Sequence, residues 1–168
     1  MWPFETRSTI IDDIGKAFWD ATGKHAAAML QLVHPTDFGK RNWDVLLPAY
    51  TEVVAFGLHF TSRMALGELG LQRRTIFMDA FLSIVERHTP PELEGRLQPL
   101  FNRRDPEYGA YKKIYAENDE PMRGTLMWEF ARNMTPTLDP ITLVHICFIG
   151  TKMIIALKSE YEKAKMFI

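Results

Sequence analysis

The residue that most invites a chemical reading is His59, in the stretch AFGLHFTSRMALGEL at 55–69. An imidazole among Phe56, Leu58, Phe60 and Met64 could ligate a metal or haem, act as a base, or be an ordinary helical residue. Helical geometry narrows the choice. At about 100° per residue, Glu52, Ser62 and Arg63 fall in a narrow sector around His59, while Val53, Phe60 and Met64 fall on other faces. His59 therefore belongs to a polar stripe. Left uncovered, that stripe is solvated or half-buried. Covered by another helix, Glu52, His59 and Arg63 become a polar pocket.

Other constellations are weaker. Carboxylate-bridged metal sites in helical bundles need Glu-x-x-His pairs on facing helices, and none occurs. His-Glu-x-x-His and paired Cys-x-x-Cys are absent as well. His25, His34, His59, His88 and His145 do not cluster in sequence. Pro90 and Pro91 break any helical register between His88 and Glu92. No metal, haem or other cofactor is expected. There is no phosphate-binding Gly-rich loop, no dinucleotide fingerprint and no nucleophile elbow. Cys147, between Ile146 and Phe148, reads as a small hydrophobe and a poor nucleophile. These absences point away from an enzyme.

Arg73-Arg74 and Arg103-Arg104 could contact phosphate, but Glu68, Asp79, Glu86, Glu92 and Glu94 mix the local field. Twenty basic and twenty-one acidic side chains give a net charge of -1, without the basic excess of a nucleic-acid binder. No compact basic recognition helix appears, so nucleic acid is not an expected partner.

Tyr108, Tyr111 and Tyr115 are spaced as one aromatic stripe if the segment after Pro106 is helical. Such a stripe docks a short helix onto the body or offers an interaction surface.

The elements that position these residues are helical throughout. Apolar periodicity is that of a helix nearly everywhere, with no alternating strand segment and no Asn-Gly or Asp-Gly hairpin turn. The expectation is an all-α, single-domain bundle of six or seven helices over 1–168, with 102–124 as a polar, tyrosine-containing surface subregion. Helices are expected at 6–33, 43–69 with Asn42 as cap and a possible kink at Pro48, 71–88, 91–101, 106–116, 121–134 and 140–163. Gly70 ends the second. Thr89-Pro90, Asp105-Pro106, Glu120-Pro121 and Asp139-Pro140 read as starts, since a cap oxygen followed by Pro suits the first turn. A loop is expected at 34–42.

A chain of 168 residues with 46% hydrophobic and 24% charged side chains is ordinary globular material, long enough for a core without disulfides. One cysteine excludes an intramolecular disulfide and fits a reducing compartment. The N-terminal stretch has Asp12 and Asp13 where a signal peptide needs an apolar core. Cytoplasmic localisation is the expectation.

The last helix is apolar over far more than half its circumference from Ile141 to Leu157. His145 and Lys152 interrupt it, which favours a buried helix and argues against a membrane span. The expected function is a non-catalytic interaction or dimerising protein. Leu143, Ile154 and Leu157, on the flank away from His145, are the residues expected to meet a second copy or another protein partner. The alternative is a small-molecule or lipid-binding bundle. Its pocket would lie between the second, third and last helices, lined by Phe56, Phe60, Met64, Phe77, Phe81, Phe148 and Met153.

Overall fold

A computed structural model describes residues 4–117, 120–135 and 139–167. Among these the chain forms six helices and no strands, in agreement with the all-α reading. They are α1 (Phe4–Val33), α2 (Pro35–Lys40), α3 (Trp43–Glu86), α4 (Leu97–Gly109), α5 (Leu126–Met134) and α6 (Pro140–Phe167). The short α2 lies where the sequence reading placed a loop.

The expected second and third helices are the two limbs of α3. They are broken at Gly70, whose φ of 75° and ψ of 170° are open almost only to glycine. A straight helix would separate Ser62 from Arg74 by about 18 Å. Arg74 Nε instead stands 2.9 Å from Ser62 Oγ, so Gly70 turns the second limb back beside the first. Pro48 interrupts neither limb. Asn42 occupies the cap position of α3, but its side chain donates to Asp37 Oδ1 at 3.0 Å instead of capping.

Of the four Pro-marked starts, one holds. Asp139 Oδ2 accepts from Thr142 N at 2.9 Å and caps α6. Thr89-Pro90 leads only to a single 3-10 turn at Pro91–Leu93. Helix α5 begins later than expected, with Thr125 Oγ1 accepting from Trp128 N at 3.2 Å. Pro106 lies inside α4 and starts nothing. The expected helix at 106–116 is therefore replaced by the end of α4 and a non-helical strap after it.

The core forms where α6 packs on α1, α3 and α5, and where α4 packs on α3. Phe56 stacks on Phe130 with ring centroids 4.2 Å apart, and Phe81 meets both Phe18 and Phe77. Phe56, Phe60, Phe77, Phe81 and Met153 are buried, Met64 is half-buried and Phe148 faces out. Gly15 permits a close approach of α1 to α3, since a Cβ there would stand 2.8 Å from the Ile84 carbonyl oxygen.

Two expectations about α6 need correction. Leu143, Ile154 and Leu157 are buried within the chain, at 1%, 5% and 1% exposure, so the surface on which the expected dimer rested is already covered. The exposed side carries Ile141, Val144, Phe148 and Ile155 instead. The rejection of a spanning-type segment is also overturned. Helix α6 has 28 residues and a most apolar window of mean hydropathy 1.8, long and apolar enough to cross a membrane, with well under half of that window buried. His145 and Lys152 do not offset the aliphatic residues on either side of them, and the helix runs on past Leu157.

Candidate functional site

The stripe expected around His59 exists, and α4 covers it. Glu52 and His59 are each 4% exposed, which corrects the solvated reading. The cover is polar in kind. His59 Nδ1 stands 2.8 Å from Asp105 Oδ1. Arg74, from the second limb of α3, pairs with Asp105 Oδ2 and donates through Nε to Ser62 Oγ. Two turns earlier on α3, Glu52 receives Arg104 Nη2 at 2.6 Å and the Tyr108 hydroxyl. Arg104 also pairs with Glu107.

Burial pushes the Asp105 carboxyl up, but the His59 hydrogen bond and the nearby charges of His59 and Arg74 outweigh it and hold the group below the usual aspartate value. Asp105 is thus the acceptor, and His59 Nδ1–H donates. The other ring nitrogen, Nε2, is buried and has no hydrogen-bond partner. Burial first, and then the Glu52 carboxylate, raises the Tyr108 hydroxyl well above its ordinary value, which keeps it a donor.

Beside this network a cleft of about 380 Å³ is walled by His59, Ser62, Arg63, Leu66, Arg74, Asp105, Gly109, Tyr111 and Lys112. One wall is the strap after α4. Arg63 Nη1 donates to the Tyr111 carbonyl at 2.6 Å and Nη2 to the Lys112 carbonyl. The next two carbonyls, of Lys113 and Ile114, accept from Leu126 N at 2.9 Å and Met127 N at 3.1 Å. These are first-turn amides of α5 that the helix itself leaves without acceptors. Four consecutive carbonyls of the strap are bound in this way, two by Arg63 and two by α5.

The sequence-derived residues separate accordingly. His59 and Arg63 line the cleft, Arg63 as the anchor of the strap, while Glu52 is outside its wall and is bound to Arg104 and Tyr108. The tyrosines do not form one surface: Tyr108 is buried at 1% exposure, Tyr111 is half-buried in the cleft wall and Tyr115 is exposed. Arg74, Arg104 and Asp105 were missed as site residues. In sequence, Arg74 and Arg104 stand out only as members of arginine pairs in a mixed field, and Asp105 only as a helix start before Pro106. The other histidines lie apart: His25 Nδ1 contacts the Ala21 carbonyl, and His88 Nε2 stands 2.7 Å from Asp12 Oδ1.

No protein-family model, no curated protein and no solved structure matches the chain.

Proposed function

We propose that the protein is a non-catalytic binding module whose ligand is a small oxyanion-bearing molecule, a carboxylate or a phosphate, held in the cleft between α3 and α4. The observation that carries the reading is the cleft wall, where His59, whose buried Nε2 has no hydrogen-bond partner, stands beside Arg63, Arg74 and Lys112. An unsatisfied buried polar atom costs about 1–3 kcal/mol, and a hydrogen bond with a ligand oxygen would recover it. Charge favours an anion. Arg63, Arg74 and Lys112 face a single carboxylate, Asp105, so the walls carry two positive charges in excess. The volume lies within the range of small-molecule pockets, roughly 300–1,000 Å³.

The His59–Asp105 pair also resembles the orienting half of a general base. Ser62, one turn along the same helix, is held by Arg74, and no hydroxyl or thiol bonds Nε2. That arrangement favours binding over nucleophilic catalysis.

The test is thermal unfolding in rising concentrations of inorganic phosphate and of malate, against sodium chloride at matched ionic strength. A ligand present at one hundred times its dissociation constant stabilises by about 2.7 kcal/mol. The reading expects saturable stabilisation by one of the two, lost in Lys112→Glu and reduced in His59→Gln. Equal response to chloride would overturn it.

A further inference from the structure

The outer face of α6 is apolar where a helix of a soluble bundle is normally polar. Ile141, Val144, Phe148 and Ile155 are 69%, 50%, 59% and 65% exposed. At about 100° per residue they fall within one sector some 60° wide. Their span along the axis is about 21 Å. Across an open groove of about 430 Å³ lies Leu32 of α1, itself partly exposed.

The charges on the first twenty residues of this helix have one sign. From Pro140 to Ser159 the sequence contains no Asp or Glu, while Lys152 and Lys158 are exposed. Lys152 lies at the edge of the apolar sector, with its ammonium 4.4 Å from the centre of the Phe148 ring. A lysine of this kind can keep its methylenes on apolar surface and lift its charge to a polar boundary.

We infer that this face docks on an anionic phospholipid surface, with α6 lying in the interfacial plane and its inner side still packed on α1, α3 and α5. Two features favour lipid over a folded partner. The four side chains form a projecting ridge, which a fluid boundary accepts without a complementary groove. Cationic side chains beside large apolar ones match the known pattern of interfacial helices. The high hydropathy of α6 is then used sideways: the inner face serves the core and the outer face the lipid.

The experiment is co-sedimentation of the full chain with phosphatidylcholine vesicles and with phosphatidylcholine–phosphatidylserine vesicles, at low and high salt. Wild type is expected on the anionic vesicles, with binding weakened by salt. The double variant Phe148→Ser/Ile155→Ser should bind at least tenfold more weakly with an unchanged circular dichroism spectrum. If that variant loses its fold, Lys152→Glu, a surface change, should still weaken binding several-fold. Absence of wild-type binding, or equal binding to both lipid compositions, overturns the inference. So does a wild type that sediments alone as a dimer which Phe148→Ser makes monomeric, because the face would then belong to a second copy.

Discussion

His59 Nδ1 and Asp105 Oδ1 stand 2.8 Å apart across 46 residues of chain, and this contact ties the first limb of α3 to α4. The same carboxylate holds Arg74 from the second limb. Asp105 is thus the point at which three helical segments meet.

Replacing Asp105 with Asn should destabilise the fold by about 2–3 kcal/mol at neutral pH, less than for a fully buried pair because the side chain is 20% exposed. The folded-state pKa lies below the unfolded value of about 3.9, so the contribution is complete above that value. It disappears as pH falls through the depressed folded value. Urea unfolding should show a wide gap between wild type and variant at neutral pH, and a narrow one well below pH 4. A gap of constant size would show that the carboxylate charge is not what stabilises the junction.

Arg63→Ala should loosen the strap more than it weakens the molecule. Water can replace the guanidinium at the two carbonyls, so the global cost should be about 1 kcal/mol. The amides of Leu126 and Met127, which bond the adjoining carbonyls, should exchange with deuterium faster while amides in the core of α1 do not. Unchanged protection of those two amides would mean that α5 alone holds the strap.

Two glycines of α1 should respond in opposite directions to alanine. Alanine gains about 1 kcal/mol over glycine inside a helix. At Gly23 nothing lies within 4 Å of the new Cβ, so Gly23→Ala should raise stability by up to that amount. At Gly15 the Cβ would stand 2.8 Å from a backbone oxygen, which cannot rotate away. Overpacking costs typically about 1–3 kcal/mol, so Gly15→Ala should lower the unfolding midpoint despite its helix propensity. Equal effects at both sites would contradict the close α1–α3 approach.

Burial pushes the Cys147 thiol up to about 11. At neutral pH it should react with an aromatic disulfide reagent far more slowly than a free thiol does, and at the normal rate once unfolded. Fast labelling of the native protein would place Cys147 outside the core.

The sequence carried much of this arrangement. Periodicity alone located α1, both limbs of α3 and α6, because long amphipathic or apolar runs repeat a signal over many turns. It also put Glu52, His59 and Arg63 on one stripe. It could not say that α4 lies across that stripe, since Asp105 reaches His59 through space. The Asp105-Pro106 pair also mimicked a cap, and this hid the carboxylate at the centre of the site. The tyrosine stripe failed for the same reason: it assumed a helix from Pro106 onward, whereas α4 ends at Gly109. On α6 the inner and outer faces were exchanged. Both are apolar, so composition gave no direction, and only packing on α1, α3 and α5 decided that Leu143 points in and Phe148 out.

The most direct test of the proposed ligand at the His59 cleft is nitrogen-resolved NMR of the histidine side chains during titration with inorganic phosphate and with malate. The Nε2 resonance of His59 should move saturably with one of them, those of His25 and His88 should stay in place, and Lys112→Glu should abolish the movement. A His59 Nε2 signal that remains fixed through both titrations, in protein shown to be folded, would contradict the account.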